Sequence, residues 1–193
     1  MKTFIGLALT LVLLAGCSKK DKPEPVVYGE EDPLPGFLAR SFYSQETYTW
    51  INELGGVAQY GMSFVPLVNG KINSLVIKIP AANDALKVII WDKATKSKVR
   101  VETVKIAAAN TLVTKAITPL VLVKDKEYVI TMFTDDFYAR NKTGNGVGAF
   151  PVISGNIKVT ASVSGSATNE LFPLGGSGNQ YFGDCSFLFQ QTP

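Results

Sequence analysis

The chain reads as all-β, an antiparallel β-sandwich of jelly-roll type. Three observations carry that reading. Several runs alternate apolar and polar residues with period two, as a strand with one buried face requires. Turn-forming residue pairs separate these runs at roughly 8–12-residue spacing. Nothing sustains a helical period, so the crossover helices that a parallel α/β sheet needs are not expected.

The first element is not part of that sandwich. Met1 to Cys17, MKTFIGLALTLVLLAGC, starts with Lys2 and runs apolar from Phe4 to Leu14, broken only by Gly6 and Thr10. Spanning a hydrocarbon core takes about 20 apolar residues, so residues 1–16 read as a cleavable export signal. Leu14-Ala15-Gly16-Cys17 resembles the lipobox of bacterial lipoproteins. That resemblance implies that the Cys17 thiol is acylated and that Cys17 becomes the new N-terminus. Serine at position 18, rather than aspartate, implies sorting to the outer membrane. At about 0.8 kcal/mol per buried methylene, two or more acyl chains hold a protein on a bilayer without help from charge.

The next 19 residues, SKKDKPEPVVYGEEDPLPG, contain four prolines, five acids and three lysines. So little apolar material predicts a solvated, extended tether, taken here as residues 17–39. Lys19, Lys20 and Lys22 lie beside the anchor, where they touch anionic headgroups or keep the tether solvated. Residues 40–193 are of a length for one domain.

Within that domain, Leu75, Ile77 and Ile79 fall on one face of the run Lys71 to Pro80, with Ser74 and Lys78 on the other. In Lys98 to Glu102, Val99 and Val101 point away from Lys98, Arg100 and Glu102. Further strands are predicted over residues 59–65, 86–91, 112–118, 127–134, 157–163 and 181–189. Asn83-Asp84, Asp92-Lys93, Lys124-Asp125, Gly155-Asn156 and Ser164-Gly165 punctuate them. Val68-Asn69-Gly70-Lys71 predicts a type I′ hairpin, because Asn-Gly supports the positive φ angles of that turn. Lys105 to Asn110, with three alanines, has room for one helical turn.

Two stretches, residues 135–150 and 164–180, read as long loops, and long structured loops often carry binding function. Asp135, Asp136, Asn141 and Asn145 place oxygen ligands of the kind calcium prefers on the first of them, without the spacing of an EF-hand. Tyr138 and Arg140 are candidate ligand contacts, with Asn141 and Asn145 as hydrogen-bonding partners. Phe172 and Tyr181 are aromatics in or beside the second loop. Aromatic faces stack on sugar rings, although Phe137 and Phe172 also suit the closing of a core. Trp91-Asp92 reads as a core anchor followed by a turn-capping carboxylate. Asp184, flanked by Phe182 and Ser186, needs a partner if buried. Cys17 is spent on lipid, which leaves Cys185 as a small buried hydrophobe with no disulfide partner.

Several of these segments together resemble an extracellular sandwich family, Domain of Unknown Function 4082. They are Tyr60 to Phe64 followed by Val68 to Ile72, then Leu86 to Asp92, Lys126 to Ile130, and the closing Tyr181 to Phe187. The ordered set covers roughly residues 60–189. Ile90 precedes Trp91 where leucine is usual, and Lys124-Asp125-Lys126 replaces a glycine-containing turn. The resemblance implies a secreted or surface-attached sandwich, similar to carbohydrate-binding modules, and it supplies no catalytic residues.

Charge and composition exclude other classes. Removing residues 1–16 from the 19 basic and 16 acidic side chains takes away Lys2 and no acid, which leaves 18 against 16, a formal charge of +2. Nucleic acid is therefore not an expected partner, since phosphate binding needs a clustered basic surface. The chain has no histidine, so no Ser-His-Asp or Cys-His centre is possible and an enzyme is not expected. Asp135 and Asp136 do not suit paired glycosidase carboxylates, because neighbouring strand residues face opposite ways. The expected function is that of a non-catalytic surface lipoprotein on the outer membrane that binds a glycan or another surface ligand. The alternative is a structural or assembly component that binds an envelope protein.

Overall fold

The β-rich texture condenses into three antiparallel sheets. The computed structural model of the protein describes residues 26–41, 48–51, 56–142, 150–166 and 170–193. In chain order these form β1 (Glu30–Glu31), α1 (Pro33–Ser41), β2 (Tyr48–Ile51), β3 (Ala58–Pro66), β4 (Gly70–Lys78), β5 (Asn83–Asp92) and β6 (Ser97–Ile106). They continue with β7 (Val113–Leu122), β8 (Tyr128–Thr134), β9 (Asp136–Asn141), β10 (Val152–Ser154), β11 (Ile157–Ser166), β12 (Gln180–Phe182) and β13 (Asp184–Gln191). A four-stranded sheet, β1-β13-β4-β7, and a six-stranded sheet, β10-β11-β3-β8-β5-β6, enclose the main core. A smaller sheet, β12-β9-β2, adds Phe137, Ala139 and Tyr181 to that core. The architecture is the all-β sandwich that the period-two runs predict.

Alternation places the core. Met62 and Phe64 of β3, Leu86, Val88 and Ile90 of β5, and Tyr128, Ile130 and Met132 of β8 point inward from the six-stranded sheet. Leu75 and Ile77 of β4 and Cys185, Phe187 and Phe189 of β13 meet them from the other side. The Phe64 and Phe187 rings lie 4.5 Å apart across the interface. Bulges keep that face in phase. The pairing shifts between Ile72 and Ser74, so Ile72 faces inward together with Leu75 despite the odd spacing. The shift between Val159 and Ala161 has the reverse effect, sending Val163 to the outer face while Ile157 and Val159 stay inside.

The Asn69-Gly70 turn differs from expectation. β3 pairs with β11 and β8, and β4 pairs with β13 and β7, so residues 67–69 cross between the two sheets. Neither Asn69 nor Gly70 has a positive φ. Glycine is required at position 70 by close packing instead, since a Cβ there would lie 2.2 Å from the Phe189 ring. The run read as one strand over 181–189 breaks at Gly183, whose φ of 84° suits glycine. β6 also departs from the expected pattern. Its buried residues are Val104 and Ile106, whereas Val99 and Val101 are exposed on this edge strand. Glu102 meets the edge strand β7 instead, its carboxylate 2.8 Å from Lys115 and 3.6 Å from Arg100. The residues between Lys105 and Asn110 make a turn and no helix.

The folded body begins earlier than residue 40. β1 adds to the four-stranded sheet through Glu30 and Glu31, and α1 follows directly. Asp32 accepts a hydrogen bond from the Leu34 amide at 3.0 Å and from the Ser186 hydroxyl at 2.5 Å, with Pro33 as the first helical residue. That is an N-cap followed by the proline favoured at the first helical position. Leu34 and Phe37 are buried in the main core, and the Phe37 ring meets Tyr181 edge-on at 5.0 Å. The expected tether therefore ends before Glu30, because these residues have apolar surface to bury and a strand edge to join. Among the described residues no helix is long and apolar enough to cross a membrane.

Phe37→Ala is expected to cost about 3–5 kcal/mol by chemical denaturation, the range for losing a buried phenylalanine. A solvated residue in a tether would change stability by far less.

Candidate ligand-binding site

The central strands of the six-stranded sheet are buried on both faces. Ile89 and Trp91 of β5, Val129 and Phe133 of β8, and Val163 of β11 form a second apolar cluster on the outer face, with Phe172 packed on it. Residues 170–178 run across this face as a strap. Phe172 meets Trp91 edge-on at 5.8 Å, and Gly175 exchanges two backbone hydrogen bonds with Ser164, at 2.9 and 3.0 Å.

A buried polar chain ties the strap to the sheet. Trp91 Nε1 donates to Thr131 Oγ1 at 3.1 Å, and Thr131 Oγ1 donates to Gln59 Oε1 at 3.2 Å. Gln59 Nε2 then donates to the carbonyls of Leu171 (2.8 Å) and Ser166 (2.7 Å). Every member has its partner, as a buried network requires. At the strap's start, Glu170 bonds Lys87 and lies 2.5 Å from Lys98 Nζ. Hydrogen bonds from Lys87 and Lys98 hold its carboxyl down at about 2.

Between strap and sheet lies a groove of about 550 Å³, lined by Ser63, Val129 and residues 160–163 on the sheet side and by residues 172–178 on the strap side. Lys93, Lys96 and Phe150 also line it. Ser63, whose side chain faces the groove, and Ser162, which pairs with Met62 and so points to the main core, are buried with hydroxyls that have no hydrogen-bond partner among the described residues. Such groups are uncommon in folded proteins. A second groove, of about 520 Å³, shares Phe172, Leu174 and Gly175 and is bounded by Ala58, Tyr60 and residues 164–166.

The candidates in residues 135–150 fall elsewhere. Asp136 is buried, and its carboxylate accepts from the Ala81 amide at 2.6 Å and the Thr134 hydroxyl at 2.7 Å. Asp135, on the opposite side of the chain, is exposed. Among the described residues no three His, Cys, Asp or Glu side chains gather in a metal-binding group. Tyr138 is buried, donates to Asn110 Oδ1 and has Lys78 Nζ 5.2 Å from its ring centre. Arg140 grips Asp184 with two parallel bonds, Nε to Oδ1 at 2.9 Å and Nη2 to Oδ2 at 2.5 Å. Burial pulls the guanidinium toward neutrality, but the hydrogen bonds and charge of Asp184 prevail and raise it above its ordinary value. Tyr181 is wholly buried and donates to the Cys185 carbonyl at 3.4 Å. Tyr138, Arg140 and Tyr181 are thus each engaged in hydrogen bonds within the fold, and none of them is among the residues lining the groove. The reason is that residues 136–141 are a strand with both neighbours in place, not a loop.

Phe172 does line the groove. Cys17 and Asn145 lie outside the described residues, as does the side chain of Asn141. The readings of Trp91, Asp92 and Cys185 agree with the structure. Trp91 is a buried anchor, Asp92 Oδ1 accepts from the Thr95 amide at 3.1 Å, and burial pushes the Cys185 thiol far up. Sequence reasoning missed Ser63, Ser162 and Lys96, which carry no motif and come together only through strand pairing.

The fold defines a class, the antiparallel β-sandwich, carrying a strapped groove on one outer face. No family model matches the chain, and no curated protein matches it.

Two outcomes check this geometry. Asp184→Ala is expected to cost about 3 kcal/mol in denaturant unfolding, since it strands a largely buried guanidinium. The Glu170 carboxyl titrates lower when folded, so its hold on the strap is complete above the ordinary carboxylate range and is lost as pH falls toward about 2. Hydrogen exchange at the Gly175 and Ser164 amides is expected to gain protection with rising pH across that window. Glu170→Gln is expected to abolish the gain.

Proposed function

We propose that the protein is a non-catalytic lipoprotein, held on the outer membrane by acylated Cys17, whose sandwich binds a glycan in the groove beneath the strap. The groove itself carries this reading. Its volume of about 550 Å³ lies within the range of about 300–1,000 Å³ usual for small-ligand sites. Phe172 supplies an aromatic wall for a sugar ring, and Ser177 and the amides of residues 176–178 supply polar contacts. The ionisable side chains lining it are Lys93 and Lys96, with no carboxylate among the described residues, whereas glycoside hydrolysis needs two. That supports binding over turnover.

A second reading, an assembly component that contacts another envelope protein, draws on exposed apolar residues at the sandwich edges. Val99 and Val101 lie on β6, Val121 on β7, and Val123 just beyond it. Crosslinking in intact cells separates the two readings, because an assembly component is recovered with a partner and a glycan binder as monomer.

The test is a glycan array probed with the full chain in detergent. A restricted set of glycans is expected to bind, and Phe172→Ala is expected to weaken binding about tenfold, the worth of one aromatic stacking contact. Absence of binding to every glycan would overturn the proposal.

A further inference from the structure

We infer that the groove selects a saccharide bearing a carboxylate, an inference that rests on the glycan-binding reading above. The first ground is charge. The groove is lined by two lysines and, among the described residues, by no aspartate or glutamate. Lys93 is already engaged, with its Nζ 2.8 Å from Glu127 Oε1. Lys96 differs. It occupies the turn between β5 and β6 with a φ of 56°, and no carboxylate of the described residues pairs with it. An unpaired ammonium beside a partly enclosed groove attracts an anion more strongly than one in open solvent.

The second ground is an excess of donors. Ser177 Oγ accepts from the amides of Asn179 and Gln180, but the amides of Gly176, Ser177 and Gly178 have no protein acceptor among the described residues. The glycines let a ligand approach that backbone closely. The Ser63 hydroxyl, buried on the groove side and unpartnered among the described residues, adds polar demand to the floor. Donors with one free cation suit an oxygen group that only accepts, and charge-assisted bonds to carboxylate are stronger than bonds to a neutral hydroxyl. The Phe172 wall and the volume suit a ring, so the anion is carried on a sugar and is not a lone inorganic ion.

The experiment titrates the full chain in detergent with an oligouronate, its neutral methyl ester of equal length, and inorganic phosphate. The oligouronate is expected to bind about tenfold more tightly than the ester, with the gap narrowing as salt rises from about 50 to about 500 mM. Lys96→Asn keeps a residue that tolerates positive φ, so its melting temperature should match the parent. It is expected to bring oligouronate binding down to that of the ester while ester binding stays unchanged. Equal binding of acid and ester overturns charge selection and leaves the glycan reading standing. An acid preference that survives Lys96→Asn overturns the assignment to this groove. Phosphate binding as tight as that of the oligouronate overturns the saccharide. Failure of every glycan on the array overturns the parent reading, and this inference with it.

Discussion

Burial of the central strands of the six-stranded sheet on both faces is the constraint on which the rest of the molecule depends. β8 makes it plain, since all seven of its residues are buried. Tyr128, Ile130 and Met132 satisfy the main core, while Val129 and Phe133 point outward with Ile89 and Trp91 and need cover of their own. Left open, that outer cluster would be an exposed apolar patch of the kind that drives association. The strap supplies the cover, and the groove is where strap and sheet do not meet.

Cover alone does not set the position of the strap. The hydrogen-bond relay from Trp91 through Thr131 and Gln59 to the carbonyls of Leu171 and Ser166 does, because a buried amide and indole tolerate few arrangements in which all are satisfied. Glu170 adds an ionic clamp on β5 and β6 at the solvent edge. Interior hydrogen bonds therefore set the register of the strap. The exposed ion pair adds a pH dependence and little stability.

The small sheet shows a different solution. It is locked to the four-stranded sheet by Arg140 on Asp184 and by the Gly183 amide donating to the Tyr138 carbonyl at 2.8 Å. A carboxylate in an apolar strand was legible as needing a partner, but which cation reached it was not. Asp184 and Arg140 are 44 residues apart, and only the pairing of β9 with β12 brings them together. The Asp32 cap and first-turn Pro33 read as part of the extended tether, because prolines and charges are dense around them. Leu34 and Phe37 show that two core residues are enough to recruit such a segment.

The sequence by itself determined the strand segments of the sandwich, the Trp91 anchor with its Asp92 cap, and the burial of Cys185. Each depends on local periodicity or on the cost of hydrating one side chain. Tertiary structure alone decided that Asn69-Gly70 crosses between sheets, that residues 136–141 form a strand, and that Ser63, Ser162 and Lys96 share a groove. Those outcomes depend on which strands pair. Pairing is selected by the collective fit of two sheet faces and a strap, and no local stretch of residues records that sum.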